Sequence, residues 1–287
     1  MAKILIVGCG QLGMPLAHLL SEQGHQVTGL KRHPPKAADR QLRYLSADLA
    51  KPESLAGLPT DFDWVYFIVS PDGRGNVQSY QDVYGTGLTQ LLGLFAKAAS
   101  TPRWIFVSST SVYGQTQGEW VDEASATQPT EPSSQLIKQA EQQVLAANPG
   151  NIVVRFSGIY GPGREYLLRL AQTTPAIQHT PPYYTNRIHQ DDCVAVLAFL
   201  LARGLAGDSL APCYLASDDD PAPQWEVIAW IAAQMHCPTP TMRDLEGVTM
   251  NKRCRNQQLK ALGYPFIYPS YKDGYKPMID AYLAQAY

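Results

Sequence analysis

The sequence predicts an α/β protein with a doubly wound parallel sheet and a smaller, irregular C-terminal cap. Short apolar runs of strand length alternate with segments of helical periodicity, a pattern typical of parallel sheets covered by helices on both faces. A glycine-patterned turn follows the first apolar run, and four hydroxyl side chains follow a later one. Because ligands of such sheets bind outside the carboxyl ends of the strands, both positions are candidate ligand sites.

Size, charge and cysteine content limit the classes of partner. The chain has 287 residues and is 45% apolar, enough for one large domain or for one domain with a smaller appendage. Its net charge of -2 gives no electrostatic reason to expect nucleic acid or a membrane surface, and no apolar run reaches the ~18 residues of a spanning helix. The five cysteines are scattered and lack CxxC spacing, so we expect reduced thiols in a cytoplasmic protein that binds a small molecule and no metal.

The first apolar run, residues 3–7, predicts a buried strand, and a GxGxxG motif follows it directly. A helix to Leu20 and a second strand over residues 25–30 complete a strand–turn–helix–strand unit, with Gly24 suited to the end of the helix. In such a unit the first glycine allows a tight turn, the second lets the backbone approach a pyrophosphate, and the third lets the helix pack on the strand. The helix N-terminus offers N–H groups to the phosphates. The motif therefore predicts a dinucleotide site formed by Gly8, Gly10, Gln11, Leu12 and Gly13.

The end of the second strand indicates which dinucleotide. An acidic residue there would hold the ribose 2′-hydroxyl of NAD. This chain has Lys31 and Arg32 instead, and a guanidinium can bind a 2′-phosphate through two hydrogen bonds. The pattern favours NADP over NAD. The alternative is a basic turn that merely faces solvent.

The next segments continue the alternation. Residues 42–47 predict a third strand, and Asp48 and Leu49 after it either border an adenine or, for Asp48, cap a turn. Residues 64–70 predict a fourth strand, with a loop at 71–75 over the expected ligand face. Residues 77–98 predict a long helix whose small residues at 84–87 allow close packing on the sheet.

A second candidate site begins at residue 104. Four large apolar residues, 104–107, predict a strand buried on both faces, and Ser108-Ser109-Thr110-Ser111 follows where that strand would leave the sheet. One hypothesis is that these hydroxyls face a ligand. The other is a loop whose side chains bond to their own backbone.

A polar, proline-containing segment, residues 115–132, predicts a surface loop, and a helix opens after it and runs to residue 147. Ser134 and Lys138 are four residues apart and share a face of this helix. The lysine either reaches a cofactor ribose or faces solvent, as helical lysines usually do. Residues 151–156 predict a further strand that ends in a rigid turn of glycines and a proline.

Beyond residue 164 the parallel pattern lapses. We expect a dinucleotide-binding domain over 1–164, completed by a helix and strand in 188–216, and a substrate-binding cap from 165–187 and 217–287. The last forty residues are polar and rich in tyrosine and proline, and predict irregular structure. His189 lies just before the predicted helix, and we interpret it as structural rather than as a ligand-site residue.

With these elements placed, the chain resembles the extended short-chain dehydrogenase/reductase family, the NAD(P)-dependent epimerases, dehydratases and reductases, over nearly its whole length. The resemblance implies a Rossmann-type domain and a substrate cap. It rests on the glycine turn and four further motifs, which are Val107-Ser-Ser-Thr-Ser-Val-Tyr-Gly114, Arg155 to Gly163, His189-Gln-Asp-Asp192 and Asn256-x-x-Leu259-x-x-Leu262-Gly263-Tyr264.

The resemblance assigns roles to three positions. It implies that Ser109 bonds the substrate oxygen and that Lys138 binds the nicotinamide ribose. The family's catalytic tyrosine lies four residues before the lysine, and here that position is Ser134. A serine hydroxyl is a far weaker acid than a phenol, whose pKa is ~10, so serine cannot serve as acid/base alone. A relay through water from Ser134 or through a tyrosine elsewhere would be needed, and the candidates are Tyr160, Tyr183 and Tyr184.

The glycine turn also departs from the family, which uses G-x-x-G-x-x-G. The stretch from Gly8 to Ala17 is similar to the start of the β-hydroxyacid dehydrogenases. That family continues into an all-helical domain, which the later strands and the pattern of Ser109, Tyr113 and Lys138 do not fit. We therefore interpret the chain as an atypical extended short-chain dehydrogenase/reductase.

Two functions follow from this interpretation. The first is an NADP-dependent oxidoreductase, epimerase or dehydratase acting on a small, sugar-like hydroxyl or carbonyl compound. The second is a non-catalytic NAD(P)-binding redox sensor or partner-binding protein that has lost the proton relay. By analogy with the family, a homodimer would form through the two long helices predicted at 77–98 and 134–147.

Overall fold

A computed structural model describes residues 1–35, 42–73, 75–244 and 251–284. Residue 74 of the predicted loop and residues 245–250 and 285–287 of the predicted cap lie outside the described residues. The chain divides into two compact units, described separately below. The first comprises Met1–Val112, Thr127–Arg155 and Val194–Tyr214, and the second comprises Tyr113–Ala126, Phe156–Cys193 and Leu215–Tyr287. The domain division expected from the sequence differs from these units mainly at residues 113–126 and 156–164. The sequence predicted them in the first domain, and the structure places them in the second unit.

The secondary structure of the described residues begins with a strand and alternates with helices through the first unit. In chain order the strands are β1 Lys3–Val7, β2 Gln26–Lys31, β3 Arg43–Ser46, β4 Trp64–Phe67, β5 Arg103–Ser109, β6 Glu119–Val121, β7 Ile152–Phe156, β8 Gly158–Tyr160, β9 Ala176–Thr180, β10 Tyr184–Thr185, β11 Arg187–His189, β12 Cys213–Ala216, β13 Ala222–Pro223, β14 Thr241–Asp244 and β15 Lys252–Cys254. The helices are α1 Gly13–Glu22, α2 Val77–Tyr80, α3 Leu88–Phe95, α4 Pro132–Ala147, α5 Tyr166–Gln172, α6 Gln190–Leu205, α7 Gln224–Gln234, α8 Gln257–Ala261 and α9 Tyr271–Ala284.

A seven-stranded sheet in the order β12-β7-β5-β4-β1-β2-β3 organises the first unit. The pairs β1–β2, β1–β4, β2–β3 and β4–β5 are parallel. The strand order reverses between β1 and β4, so the carboxyl ends of these two strands form the topological switch point at which such sheets bind ligands. The predicted fold class, a Rossmann-type doubly wound sheet, is confirmed.

The central strands are apolar because helices cover both faces of the sheet. All four residues of β4 are buried, as are Ile4–Val7 of β1 and Trp104–Phe106 of β5. Tyr66 in β4 places its polar end in this core, and its hydroxyl donates to Leu197 O at 3.0 Å, so burial does not leave the phenol unpaired.

The long helix predicted at 77–98 forms over α2 and α3, with a π-helical segment, Gln81–Gly87, between them. It ends at Phe95, three residues earlier than predicted. Gly87 packs on the turn after β3, since a Cβ there would lie 2.7 Å from Leu49 Cβ. The absence of a side chain at Gly87 therefore allows the close packing that was predicted for residues 84–87.

A buried charged network joins three elements of the first unit. Ser108 Oγ at the end of β5 donates to Glu141 Oε1 of α4 at 2.5 Å. Arg155 of β7 binds the same carboxylate through two hydrogen bonds, Nε to Oε1 at 2.9 Å and Nη2 to Oε2 at 2.8 Å. The side chains of Arg155 and Glu141 are 9% and 5% exposed. A buried carboxylate requires such partners, so the network fixes α4 against β5 and β7.

The second unit contains two-stranded parallel pairs, β8–β11, β6–β15 and β9–β14, and an antiparallel pair, β10–β13. Helices α5, α7 and α9 supply most of its apolar core. The expectation of irregular structure in the last forty residues is wrong, because α9 has fourteen residues. Tyr271, Tyr275, Met278 and Ile279 recur at helical spacing and are buried, whereas Pro277 sits inside the helix and hid this pattern. Likewise β6 lies within the predicted loop at 115–132.

Two further findings concern the described residues as a group. No helix among them is long and apolar enough to cross a membrane. No cluster of three or more metal-binding side chains occurs among them.

We predict that Glu141→Ala destabilises the protein by about 3–5 kcal/mol, because it leaves the Arg155 guanidinium buried without its partner. Urea unfolding would measure the change in the free energy of unfolding. The matched control is Gln142→Ala, on the exposed side of the same helix, for which we expect less than about 0.5 kcal/mol. Equal effects of the two substitutions would contradict a structural role for the network.

Candidate functional site

The turn after β1 requires glycine at two positions. Gly8 has φ +94, and a Cβ there would lie 2.3 Å from Ile68 O at the end of β4. At Gly13 a Cβ would lie 2.4 Å from Gly8 O. The first glycine therefore permits the close approach of the chain segments after β1 and β4, and the last lets α1 begin directly against the turn.

Gly10 differs from its neighbours because open space surrounds it. A Cβ at this position would meet nothing within 4 Å. The Gly10 N–H donates to Gly8 O at 2.8 Å and the Met14 N–H to Gly10 O at 2.9 Å. Between them, the N–H groups of Gln11, Leu12 and Gly13 have no hydrogen-bond acceptor among the described residues. Such N–H groups at a helix start can bind an anion.

The basic end of β2 has an acidic partner. Arg32 Nη2 donates to Asp72 Oδ1 at 2.8 Å, and Nη1 donates to Asp72 Oδ2. Both side chains are exposed, by 49% and 66%. Hydrogen bonding to Arg32 lowers the pKa of Asp72, as expected for a carboxylate paired with a cation. Lys31 is the last residue of β2 and lies in register with Ser46 of β3.

Asp48 and Leu49 form the turn after β3. Asp48 Oδ1 accepts from the Ala50 N–H at 3.1 Å, and Asp48 N donates to Ser54 Oγ at 2.9 Å. Asp48 thus caps this turn, as one of the two alternatives predicted. Leu49 is buried against Gly87. The adenine role of both residues stays a prediction.

The hydroxyl cluster at 108–111 does not act as one surface. Ser108 points to Glu141 in the interior, so the hypothesis that it faces a ligand is wrong, and Thr110 is buried as well. Ser109 Oγ accepts from the Ser111 N–H at 3.1 Å, the local bonding that the second hypothesis expected. This bond leaves the Ser109 hydroxyl proton to be donated elsewhere.

Ser134 and Lys138 lie one turn apart on α4. Ser134 is buried, Lys138 is partly buried, and Lys138 Nζ donates to Thr127 O. Helix α4 packs against β5 and against the 3₁₀ segment Thr110–Val112. The helix that carries Ser134 and Lys138 therefore packs on the elements that carry and follow Ser109, although the roles of these residues stay predictions.

The tyrosines named as proton sources belong to the second unit. The Tyr160 ring stacks on Tyr275 with centroids 4.4 Å apart, and its hydroxyl has no partner among the described residues. Burial raises the pKa of Tyr160 and of Tyr183, which is opposite to what an acid/base group needs near neutral pH. The Tyr184 ring packs under the Arg253 guanidinium, 4.7 Å from its centroid.

His189 and Asp192 have structural contacts in the second unit. The buried His189 ring packs against Tyr160 and Tyr268, and its Nδ1 accepts from the Asp191 N–H at 3.2 Å. Burial lowers the pKa of His189. Asp192 accepts from Tyr264 OH at 2.8 Å and from two backbone N–H groups, Ile267 and Tyr268, at 2.8 and 3.0 Å. Asp192 thereby fastens the segment that precedes α9.

Sequence reasoning missed three charged residues at or beside the site. Arg155 lies inside the strand predicted at residues 151–156, and all five residues of β7 are buried in the structure. A buried arginine requires an acceptor, so an arginine among the apolar residues of a strand is itself a signal. Glu141 is three residues beyond Lys138 and could have been proposed as that acceptor. The contact of Asp72 with Arg32 could not be predicted from the sequence. The two residues are forty positions apart and follow different strands, which only the folded sheet brings together.

The sheet order, the glycine turn at the switch point and the N–H groups without a protein acceptor at the start of α1 define a dinucleotide-binding α/β protein. The model of the NAD dependent epimerase/dehydratase family matches residues 4–208. The chain belongs to that family.

The chain is also similar to individual proteins. The chain is 32% identical over 209 residues to Protein YeeZ of Escherichia coli (strain K12), covering 70% of this chain and 73% of YeeZ. It is 33% identical, with a TM-score of 0.78, to a provisionally assigned NAD-dependent epimerase/dehydratase from Methylobacillus flagellatus, covering 98% and 99% of the two chains. A dTDP-glucose 4,6-dehydratase from Bacillus anthracis str. Ames, in complex with NAD, has a TM-score of 0.78 at 18% identity over 99% and 97% of the chains, a likeness of fold alone.

We predict that Gly10→Ala changes the free energy of unfolding by less than about 1 kcal/mol but weakens NADPH binding at least about tenfold. The reason is that the new methyl group occupies the open space beside the turn without touching the protein. Calorimetric titration and urea unfolding would measure the two quantities. Gly93→Ala is the matched control, since a Cβ there also meets nothing within 4 Å, and we expect it to leave binding unchanged. Unaltered binding by Gly10→Ala would place the dinucleotide away from this turn.

Proposed function

We propose that this protein is an NADP-dependent enzyme that oxidises, reduces, epimerises or dehydrates a small hydroxyl or carbonyl compound of sugar-like chemistry. The observation that carries the proposal is the glycine turn at the β1–β4 switch point, with open space at Gly10. Family membership adds the reaction class, and the Bacillus anthracis neighbour of the same fold is a dehydratase of a nucleotide-linked sugar.

The residues present fit a dinucleotide. Gly8, Gly10 and the N–H groups of Gln11, Leu12 and Gly13 would hold the pyrophosphate, because these donors have no protein acceptor among the described residues. Asp48 and Leu49 would border the adenine, and Lys138 would bind the nicotinamide ribose. When bound, a nicotinamide dinucleotide supplies the capacity to accept or donate a hydride.

The preference for NADP over NAD rests on the basic residues that end β2. Arg32 offers a planar pair of N–H donors that matches a phosphate, and Lys31 adds positive charge. Asp72 already engages both Nη atoms of Arg32, so a 2′-phosphate would have to exchange with a carboxylate. We propose that the exchange favours the phosphate, since a dianion carries more charge than a single carboxylate.

At the reacting end, Ser109 would donate its hydroxyl proton as a hydrogen bond to the substrate oxygen. Its lone pair already accepts from Ser111 N–H, which orients the hydroxyl. Lys138 would supply positive charge on the neighbouring helix. Ser134 is buried and, with an aliphatic hydroxyl, would pass a proton only through a water molecule.

The alternative function is a non-catalytic NAD(P)-binding sensor. Serine at 134 favours it, because the family's phenolic acid/base is missing from that position. Raised pKa values at Tyr160 and Tyr183 also make these tyrosines poor replacements. Lys138 serves both functions equally, since binding ribose needs no chemistry. A homodimer through the helical segment at 77–95 and α4 is a proposal by analogy with the family.

We predict that NADPH stabilises the folded protein more than NADH at equal concentration, because a ligand that binds only the folded state stabilises it by RT ln(1 + [L]/Kd), which is larger for the tighter ligand. Thermal unfolding measures this difference, and stronger stabilisation by NADH would contradict the NADP preference. Under the enzyme proposal, bound NADPH is consumed when a panel of sugars, aldehydes and keto compounds is supplied, as followed by absorbance. Tight binding without turnover across a broad panel would favour the sensor.

We predict that Ser134→Tyr raises turnover at least about tenfold if the remaining site is intact, because a phenol beside an ammonium group has a pKa nearer neutrality than an aliphatic hydroxyl. The kcat with the best substrate of the panel is the measurement. Ser133→Tyr, one position away on a partly buried side of the helix, is the control and should have no such effect. A loss of NADPH binding in Ser134→Tyr would instead mean that the site is built around serine.

A further inference from the structure

The Arg32–Asp72 pair has a special position in the sheet. β2 and β4 are the two neighbours of β1, so their carboxyl ends lie on either side of the glycine turn, about 9–10 Å apart. Arg32 follows the last residue of β2, and Asp72 lies in the segment after β4. The ion pair therefore connects the two strands that flank the dinucleotide turn, at the same edge of the sheet.

The geometry of the pair uses the same donors that a phosphate would need. Both Nη atoms of Arg32 donate to the two carboxylate oxygens of Asp72, a two-point arrangement that guanidinium groups form equally with carboxylates and with phosphates. The Arg32 main-chain carbonyl is held by Ser46 Oγ at 3.1 Å. The backbone at Arg32 is thus fixed, and a change of partner would involve only the side chain.

We propose that Asp72 is a cofactor-specificity residue, which lowers the affinity for a 2′-phosphate by occupying the guanidinium of Arg32. This inference rests on the proposed NADP preference and adds the residue that opposes it. Sequence reasoning interpreted the missing acid at the end of β2 as selection against NAD. The structure places a carboxylate from the segment after β4 beside Arg32, and this carboxylate engages the guanidinium that a 2′-phosphate would need.

The charges near Arg32 agree with this competition. Its hydrogen bond to Asp72 raises the pKa of Arg32, and the charges of Asp72 and Asp48 add to that effect. A phosphate that binds here would therefore compete with the Asp72 carboxylate for Arg32. Among the described residues, Arg32 is the only cation at this end of β2 for which an ion pair is seen. A ribose with a free 2′-hydroxyl brings no charge and needs no such displacement.

The test is calorimetric titration of the full chain with NADP⁺ and with NAD⁺, so that no catalytic turnover is required. We expect Asp72→Asn to tighten NADP⁺ binding about fivefold, the upper range for releasing one exposed ion pair, while NAD⁺ affinity changes less than about twofold. Arg32→Gln should weaken NADP⁺ binding at least about tenfold. In the double variant Arg32→Gln with Asp72→Asn, the gain from Asn should vanish, because Asp72 acts through Arg32.

The matched control is Asp61→Asn, which removes an exposed carboxylate paired with Lys3 at the amino end of β1 and changes the net charge equally. It should leave both affinities unchanged, and an equal gain in NADP⁺ affinity would overturn the specific role of Asp72. An unchanged NADP⁺ affinity in Asp72→Asn, together with the loss in Arg32→Gln, overturns this inference and leaves the proposed function standing. A gain that persists in the double variant also overturns it. Absence of binding of either dinucleotide to the wild-type chain overturns both.

Discussion

The carboxylate of Glu141 is the group on which the first unit depends most. It is buried between a helix and two strands, and its hydrogen bonds come from Ser108 and Arg155. Burial of a carboxylate is unfavourable unless its charge and lone pairs are both matched, so these hydrogen bonds favour the observed position of α4 relative to β5 and β7. Lys138 and Ser134 are carried on that same helix. The buried ion pair of Glu141 and Arg155 therefore helps to position these predicted site residues.

The two ends of the candidate site are held by different forces. At the glycine turn, packing is so close that a single methyl group at Gly8 would meet Ile68 O at 2.3 Å, and no polar side chain is needed. At the hydroxyl end, Ser109 is held by a hydrogen bond to Ser111 N–H and by the neighbouring α4. At Gly8 and Gly13 the turn is therefore sensitive to side-chain size, whereas the position of Ser109 is sensitive to the loss of a hydrogen bond.

Most of the fold follows from local sequence signals, and the site follows only in part. Apolar runs marked β1, β4 and β5, and the glycine spacing marked the turn, because these features are recorded in neighbouring residues. The helix α9 was missed because Pro277 masked the helical recurrence of its buried tyrosines. Ser108 was assigned to the ligand side because its true partner, Glu141, is thirty-three positions away. Contacts of this kind depend on the completed sheet, and one sequence does not record them.

The ion pair of Arg32 and Asp72 shows how such a contact changes the functional interpretation of a sequence motif. Two cations at the end of a strand predict selection for a phosphate, provided that they are available to bind it. Folding brings β4 beside β1 and with it a carboxylate that uses both Nη atoms of the arginine. The affinity for a 2′-phosphate is then a difference between two interactions of the same guanidinium, and that difference is smaller than either one. Under the proposed function, cofactor preference is a balance set by residues that follow two different strands, and the glycine turn between those strands would bind the pyrophosphate that both dinucleotides share.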